Sequence, residues 1–350
     1  MQQAAAVSLP ADAPDRQPAL HRELIAIAAG IWKARALYAA AQLGLADLIG
    51  GGTATAEELA RKTKTHQPSL IRLMRALGSF GIVTEPEPLH YCLTQLGLAL
   101  QRTAPASAHA AVLTLAGDWQ WRAWEHMLHS VRTGEPAMRA AFGQDLFDYL
   151  SAHPERADQF NAAMVGIHGG DGSNVVVAYD FSGLRSIADI GGGTGVLLTT
   201  ILKSNPNLRG VLFEQAQTLP EAKSLIAERG LGSRCDVLAG DFFRAIPPGH
   251  DAYILSHVLH DWTDDQCVRI LGHCRHAMAP DGRVLVVEHV IRPGNAPDWA
   301  KLLDINMLVL PGGQERTKEE FAALFTRAGL RLKRIHKTAS ALSVLEAAPV

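Results

Sequence analysis

The hydrophobic and polar positions along the chain divide it into two parts. From about residue 20 to residue 165, apolar residues recur at three- and four-residue steps, as in Leu24, Ile27 and Ile31, which predicts amphipathic helices. After Asp180-Phe181 the pattern becomes strand, helix, strand, helix to the C-terminus. That alternation predicts an α/β fold for the C-terminal part, with a mostly parallel sheet covered by helices on both faces. The N-terminal part that precedes it is predicted to be mainly helical.

Local signals within the N-terminal part predict a capped helix and a short hairpin. Thr55, followed three residues later by Glu58, is typical of a helix N-cap. Residues 82–94, with two prolines in the middle, predict the hairpin. Helices followed by a hairpin form a winged-helix arrangement, a type that can bind DNA. Because Glu85 and Glu87 at the hairpin tip would repel phosphates, we favour a dimerisation role.

The run Asp189–Gly195 follows the first predicted strand of the C-terminal part and precedes a predicted helix. Its glycines, including Gly191 and Gly193, permit a tight turn and the close approach of a ligand. A dinucleotide-binding motif would need one more glycine where the chain has Val196. The run therefore indicates a nucleoside-shaped ligand other than a dinucleotide, and a tight turn without any ligand is the alternative.

Acids stand at the ends of three successive predicted strands, at Asp189, Glu214 and Asp241. A carboxylate at the tip of the second strand can accept hydrogen bonds from both hydroxyls of a ribose. Asp241, next to Phe242, can accept a hydrogen bond from the amine of a flat base. Three acids favour a ligand that carries positive charge over one that carries phosphates. S-adenosylmethionine (SAM), with its sulfonium and ammonium groups, fits that charge.

The fourth predicted strand leads directly into His257 and His260, and the fifth ends at Glu288. A single imidazole suits a general base, and carboxylates such as Glu288 and Glu315 would hold its ring and raise its pKa. A core histidine is one alternative. A metal site is another, although the further candidate ligands belong to no recognised signature; these are Asp261, His273, Cys274 and His276.

Composition limits the remaining possibilities. A length of 350 residues with 47% apolar content suggests two domains, and a net charge of −2 does not indicate a polyanionic partner. The four cysteines form no C-x-x-C pair, which suits a cytoplasmic protein. No apolar run approaches the ~20 residues of a membrane span. Residues 1–18 differ from a signal peptide, and we expect a disordered lead-in there.

Four segments together resemble the SAM-dependent O-methyltransferases of the plant caffeate and bacterial polyketide-tailoring type. They are Asp189–Gly195, Leu255–Trp262, Val287-Glu288 and Gly312–Thr317, and the resemblance extends over about residues 20–347. It implies a homodimer and a Rossmann-like, class I methyltransferase fold for the C-terminal domain. The implied domains are a winged-helix-like dimerisation domain at 19–105, a helical linker at 106–180 that contributes to the active-site wall, and the SAM-binding domain at 181–350.

The resemblance also implies roles for individual residues. His260 matches the catalytic base, and Glu288 and Glu315 match the acids that flank it. The expected SAM-binding positions are Asp189, Gly191, Gly193, Glu214, Asp241, Phe242 and Ser256, the last of which stands where plant relatives have a lysine. The expected substrate-lining positions are Trp119, Met164, His257, Asp261, Asn306, Met307 and Leu310.

The implied reaction is methylation of a hydroxyl, in particular a phenolic one, on an aromatic or polyketide-like molecule. His260 would remove the hydroxyl proton, and the oxygen would take the methyl group of SAM and release S-adenosylhomocysteine. No metal, nucleic acid or membrane is expected to take part. Two alternatives stay open. The same fold could run C- or N-methylation or a SAM-assisted hydroxylation, decarboxylation or pericyclic reaction, or the chain could be a SAM-sensing transcriptional regulator.

Overall fold

The computed structural model describes residues 17–350, which form two compact units. The first unit ends at Ala116, and the second is Gly117–Val350. Residues 1–16 of the expected lead-in lie outside the described residues, whereas the first helix already begins at Gln17. Each unit has its own apolar core, so each is described separately.

The first unit is mainly helical, as its hydrophobic spacing predicts. The predicted N-cap is confirmed, because Thr55 Oγ1 accepts a hydrogen bond from the Glu58 N–H at 3.1 Å and Glu58 Oε2 accepts one from the Thr55 N–H at 3.0 Å. The helices are α1 Gln17–Ala28, α2 Gly30–Gln42, α3 Leu45–Ile49, α4 Ala56–Thr63, α5 Gln67–Ser79, α6 Gln95–Leu98 and α7 His109–Leu115.

A small antiparallel sheet completes this unit and contains the predicted hairpin. Its strands are β1 Ala54–Thr55, β2 Val83–Glu87 and β3 His90–Leu93, in the order β1-β3-β2. Helix α7 packs on α2 in the same unit, and Arg35 Nη1 donates to the Ala116 carbonyl at 2.7 Å. The unit therefore extends past residue 105, where we expected the dimerisation domain to end.

One helical stretch of the described residues, Ala19–Gln42, is long and apolar enough to cross a membrane by length and composition alone. Its mean hydropathy is 1.4, and 11% of its most apolar window is buried within the chain. The sequence argument missed this stretch because it looked for an uninterrupted apolar run, and Lys33 and Arg35 interrupt this one. A single helix of this kind is weak evidence for a membrane span.

The second unit begins with six helices, and side chains of the first five form an aromatic cluster. The rings of Trp119 and Tyr149 stack with their centroids 5.8 Å apart, and Val309 and Leu310 pack into the same core. The helices are α8 Asp118–Trp124, α9 Met127–Thr133, α10 Ala137–Phe142, α11 Leu146–Ala152, α12 Pro154–His168 and α13 Asp171–Ala178.

The rest of the second unit is a sheet with helices on both faces, as predicted. The strands follow the order β10-β11-β8-β7-β4-β5-β6, with β9 paired to β8, and all pairings are parallel except those of β11. The strands are β4 Ser186–Ile190, β5 Arg209–Glu214, β6 Cys235–Ala239, β7 Ala252–Ser256, β8 Arg283–Ile291, β9 Arg316–Thr317, β10 Leu330–Lys337 and β11 Leu342–Pro349.

The chain order of the strands reverses between β4 and β7, which is where ligands bind in open α/β sheets. The remaining helices connect these strands. They are α14 Val196–Ser204, α15 Leu219–Glu228, α16 Asp264–Ala277, α17 Trp299–Val309 and α18 Lys318–Arg327, together with a single 3₁₀ turn at Leu259–Asp261.

One strand end differs from the prediction. We expected the fifth strand to end at Glu288, but β8 continues to Ile291. Its last residues find partners on both sides, because His289 pairs with Leu342 on β11 and Val290 pairs with Arg316 on β9. Glu288 is therefore a fully buried residue inside the strand, not an acid at its tip.

Candidate active site

The turn that follows β7 carries His260, and Glu288 holds its backbone. One carboxylate oxygen of Glu288, Oε1, accepts hydrogen bonds from the N–H groups of Val258 at 3.1 Å, Leu259 at 3.0 Å and His260 at 3.4 Å. His257, just before them, has a φ of 53°, a left-handed conformation that is uncommon for a residue with a side chain. The buried carboxylate thus fixes the turn through its backbone donors.

The imidazole of His260 is 8% exposed and is surrounded by acids. Its Nδ1 lies 2.7 Å from Glu315 Oε1 and 3.4 Å from Glu288 Oε2. Its Nε2 lies 3.7 Å from Asp261 Oδ1. Because Nδ1 faces two carboxylates, the proton of the neutral ring belongs there, which leaves Nε2 with a free lone pair.

Burial and charge act in opposite directions on the pKa of His260. Burial alone lowers this pKa, but the negative charges of Glu288 and Asp261 and the hydrogen bond that the ring donates to Glu315 outweigh it and raise the pKa to about 10. Burial raises the pKa of Glu288 to about 7 and that of Asp261 to about 6. The cluster therefore favours the protonated form of the imidazole.

The loop that carries Glu315 lies directly against the His260 turn. A Cβ atom added at Gly313 would come within 2.1 Å of the His260 carbonyl oxygen and 2.6 Å of the Trp262 nitrogen, so only glycine fits there. The Glu315 N–H donates to Asp304 Oδ1 at 2.9 Å, which ties the loop to α17. This close backbone packing brings Glu315, distant in sequence, to the ring of His260.

The glycine run forms the predicted tight turn between β4 and α14. Gly191, Gly193 and Gly195 have φ values of 69°, 57° and 81°, in the left-handed region where a side chain is strained. The Gly191 N–H donates to the Phe213 carbonyl at 2.9 Å, and the Gly193 N–H donates to Glu214 Oε2 at 3.0 Å. The turn is thus joined to the end of β5.

A cleft opens beside this turn. Burial raises the pKa of Glu214 in its wall, and Asp241 Oδ1 accepts from the Phe243 N–H at 2.8 Å. The rings of Phe243 and Trp262 pack edge to face at 4.8 Å. Carboxylate acceptors beside flat apolar walls fit a nucleoside. The cleft is lined by Phe213, Glu214, Gln215, Gly240, Asp241, Phe242, Phe243 and Trp262.

Asp189 does not line this cleft, contrary to our expectation of a ligand-binding acid. Its side chain is fully buried beneath the turn, where a Cβ atom at Gly192 would lie 2.5 Å from its Cγ. Burial, and then the charge of Glu214, raise the pKa of Asp189 to about 7. The negative charge at the cleft therefore comes from Glu214 and Asp241.

The seven expected substrate-lining residues do not share one wall. Trp119 and Leu310 are buried in the helical core, because their apolar surfaces pack against neighbouring helices. Asn306 Oδ1 accepts from Trp124 Nε1 at 3.2 Å. Of the others, Met307 is buried, and Met164 on α12 and the two residues His257 and Asp261 near His260 are half-buried. Ser256, which we expected to bind SAM, lies at the end of β7 and is also half-buried.

Within residues 17–350, two groups of three side chains bring possible metal-ligand atoms within 4.8 Å of one another, namely His168, Asp171 and His257, and His257, His260 and Glu288. Hydrogen bonds join the members of the first group, and in the second group His260 forms an ion pair with Glu288. Asp171 Oδ2 lies 3.2 Å from His168 Nδ1 and 3.4 Å from His257 Nε2, while His260 binds Glu315. The other sequence candidates, which are Asp261 in the turn and His273, Cys274 and His276 on α16, belong to neither group. The expectation that no metal takes part stays a prediction.

Comparison with known families identifies the family to which this chain belongs. A model of the O-methyltransferase domain matches residues 124–331, more than half of the chain, and a model of the O-methyltransferase dimerisation domain matches residues 25–102. The chain belongs to the O-methyltransferase family. The family, the fold class and the methyltransferase activity that we predicted from the sequence are thereby confirmed.

Two enzymes of bacterial natural-product biosynthesis, PhzM and NcsB1, are similar to this methyltransferase. It is 43% identical over 327 residues to the phenazine O-methyltransferase PhzM of Lysobacter antibioticus, covering 93% of this chain and 96% of that one. The crystal structure of NcsB1, from neocarzinostatin biosynthesis, contains SAM and 2-hydroxy-5-methyl naphthoic acid. It superposes with a TM-score of 0.80 at 32% identity, covering 91% of this chain and 96% of that one, and it supports SAM as the methyl donor.

Not every relative of this methyltransferase carries the same name. Aclacinomycin 10-hydroxylase RdmB of Streptomyces purpurascens is 37% identical over 302 residues, covering 85% of this chain and 81% of that one. Membership of the family therefore does not by itself determine the reaction, and the chemistry of this chain must be argued from its own residues.

Some residues of the methyltransferase site were missed by sequence reasoning. Asp171 and His168 lie beside His257, but the pattern around them resembles any surface helix. Trp262 ends the Leu255–Trp262 segment, but the sequence of that segment does not show that the Trp262 ring lines the cleft. Arg316 stands between Glu315 and the helix N-cap and was given no role.

Proposed function

We propose that the enzyme transfers the methyl group of SAM to a phenolic hydroxyl of a flat aromatic metabolite, with His260 as the general base. The observation that carries this proposal is the 2.7 Å contact between Glu315 and His260 Nδ1, in a buried cluster at the carboxyl end of strand β7. This contact orients the ring and leaves Nε2 for the acceptor.

His260 is suited to remove the proton of a phenol. Its raised pKa, about 10, is close to the ~10 of an unperturbed phenol, so the proton can move between oxygen and Nε2 at little cost in free energy. Glu288 and Glu315 stabilise the resulting imidazolium. In the enzyme without a bound acceptor, the ring of His260 is mostly protonated at neutral pH. His260 must lose that proton before it can act as the base. Activity should therefore rise with pH.

The donor would be held by the cleft residues. Glu214 would accept hydrogen bonds from the ribose, Asp241 from the base amine, and Phe242 with its neighbouring aromatic rings would enclose the base. The left-handed turn at Gly191 and Gly193 supports this assignment, since it permits close approach to the backbone. When bound, SAM supplies an electrophilic methyl group on a sulfonium. Ser256, at the end of β7, would contact the donor on the other side.

Positioning should contribute more than base catalysis. General-base catalysis typically supplies about 10²–10⁴-fold, whereas the alignment of two reactants can supply up to ~7–11 kcal/mol. The names of PhzM and of the NcsB1 ligand support a flat acceptor with fused rings. In this chain, Met164, Asn306, Met307 and the residues beside His260 would contact it, while Trp119 and Leu310 would support that wall from the core.

We further propose that the enzyme is a homodimer joined through its N-terminal unit. An apolar face on α1 and α2 supports this, since large side chains there are exposed, among them Leu24, Ile27 and Trp32. The match to a dimerisation domain supports it as well. All four cysteines are free, as suits the cytoplasm. The proposed enzyme needs no metal, nucleic acid or membrane.

A transfer assay tests the proposed activity. Purified enzyme is incubated with methyl-labelled SAM and a panel of phenolic fused-ring acceptors, and the products are located by mass spectrometry and NMR. We expect label on a former hydroxyl oxygen. Label on carbon or nitrogen, a hydroxylated unlabelled product, or SAM that stays bound without turnover would each overturn O-methylation in favour of one of the alternatives.

A further inference from the structure

Arg316 is the largest of the fully buried side chains among the described residues, and its charge is completely enclosed. A buried guanidinium is costly unless all its donors find partners. Arg316 follows Glu315 directly and begins the short strand β9. It is therefore placed beside the proposed catalytic cluster without touching the imidazole itself.

The guanidinium of Arg316 joins the two ends of the turn that carries His260. Its Nη1 donates to the Leu259 carbonyl at 3.0 Å, and its Nη2 donates to the Trp262 carbonyl at 2.9 Å. Nε and Nη2 both donate to Asp264 Oδ1, at 3.0 Å and 2.9 Å, in the first turn of α16. One planar side chain thus links the turn, the helix that follows it and the loop from which it extends.

Consecutive residues of an extended chain point to opposite sides. The side chain of Glu315 therefore binds the ring of His260, whereas that of Arg316 binds the backbone carbonyls of Leu259 and Trp262 before and after it. Neither contact depends on a flexible surface side chain, since Glu315 is 3% exposed and Arg316 is fully buried. Two adjacent residues therefore hold the same histidine at two points.

We infer that Arg316 is a positioning residue for the general base: it fixes the 259–262 turn so that His260 keeps its contact with Glu315. This inference rests on the proposed role of His260. Lysine cannot replace the arginine fully, because a single ammonium cannot match a planar fork that reaches three carbonyls and a carboxylate.

The test compares Arg316→Met and Arg316→Lys with a matched control. In Arg316→Met we expect kcat to fall by about 10²-fold, the size of effect that a 1 Å displacement of a reacting group can have. Arg316→Lys should recover part of that loss. The dissociation constant of SAM, measured by calorimetry, should change much less than kcat, because Arg316 holds Trp262 through its backbone carbonyl and not through the ring that lines the cleft. The control is Arg327→Met, because Arg327 pairs with Asp264 and Asp265 at the surface and does not contact the turn.

A pH profile separates positioning from a general loss of packing. The charged and titratable groups around His260 include Glu288 and His289 on β8, Glu315 in the loop, Asp261 in the turn, and His257, whose ring centroid lies 5.5 Å away. If Arg316 holds the turn against Glu315, its loss weakens that contact, and the rise of kcat with pH moves to lower pH. A variant that is merely less well packed loses activity with no such movement.

Two further variants make each outcome decisive. If Arg316→Met does not fold, as judged by its circular dichroism, Arg316→Lys and Asp264→Asn take its place, since Asp264 is half exposed and its change leaves both carbonyl contacts intact. Wild-type kcat and pH profile in a folded Arg316→Lys variant would overturn the inference. His260→Asn tests the base separately, because an active variant would mean that the proposed function is wrong. If His260→Asn is inactive and Arg316→Met has normal activity, the positioning role of Arg316 is refuted and the proposed function is not.

Discussion

Two neighbouring regions at the edge of the large sheet differ in how their polar groups are satisfied. The acids around His260 are buried and bound to the protein itself, with Glu288 accepting three backbone donors and Glu315 accepting from the ring. The cleft at Glu214 and Asp241 is open to solvent, although Glu214 also accepts hydrogen bonds from the N–H groups of Gly193 and Gln215.

The difference indicates a division of labour between the two regions. A carboxylate that is already engaged inside the protein can orient and charge a catalytic group but has little left for a ligand. A half-exposed carboxylate beside apolar walls can recognise one. Substitutions in the enclosed region should therefore change the rate, and substitutions in the open region should change the affinity for SAM.

The strongest test of this division is His260→Asn. We expect kcat to fall by about 10²–10⁴-fold, because the proton acceptor is lost, while the dissociation constant of SAM stays near that of the wild type. Steady-state kinetics and calorimetry on the same preparation measure the two quantities. A comparable loss of SAM affinity would break the comparison, since the enclosed region would then also serve recognition.

The reciprocal test is Glu214→Gln in the open region. Loss of a charged hydrogen-bond acceptor typically costs about 1.5–3 kcal/mol, so we expect the dissociation constant of SAM to rise by roughly 10- to 100-fold. At saturating SAM, kcat should fall much less. Glu221→Gln, on the exposed face of α15, is the matched control and should bind SAM normally.

The pH dependence sharpens the account of the enclosed region. Because the folded protein holds the pKa of His260 at about 10, above its ordinary 6.5, kcat should rise about tenfold per pH unit from neutral pH and level off near pH 10. Glu315→Gln removes a negative neighbour, lowers the pKa of His260, and should move the rise to lower pH by about one to three units.

That shift has a cost in rate, since a less basic imidazole is a weaker proton acceptor, and the alkaline plateau of Glu315→Gln should be lower than that of the wild type. Kinetics between pH 6 and pH 10.5 with one acceptor measure both effects. A movement toward higher pH would contradict the charge arrangement around the ring.

The smallest effect is expected for Phe243→Ala in the cleft. The Phe243 ring packs edge to face on Phe242 and Trp262, with centroids 4.9 Å and 4.8 Å away. Aromatic contacts of this kind contribute about 0.5–1.5 kcal/mol, so SAM should bind about two- to tenfold more weakly. An unchanged dissociation constant would show that Phe243 does not support the wall against which the base lies.

Local features were predictable from the sequence, and features set by distant pairings were not. The Thr55 cap, the glycine turn and most strands of the sheet follow from short patterns of neighbouring residues. The burial of Glu288 depends on β11, which begins more than 50 residues later. No local pattern distinguishes it from an acid at a strand tip.

Two charged residues show the same limit. Arginine in a loop beside a helix start is usually exposed, so the sequence offered no reason to bury Arg316. Asp189 stands in a motif whose spacing suggests ligand contact, yet it packs beneath the glycine turn. Both outcomes depend on three-dimensional packing between segments that are far apart in the chain.

The hydrogen bonds that hold the 259–262 turn come from Glu288 in β8, from Arg316 at the start of β9 and from Cys267 in α16. The aromatic helices α8–α13 belong to another part of the sequence. A lineage could therefore remodel those helices to admit differently shaped acceptors while the proton-accepting apparatus stayed unaltered. Such modularity would let one ancestral enzyme give rise to descendants that modify many different natural products.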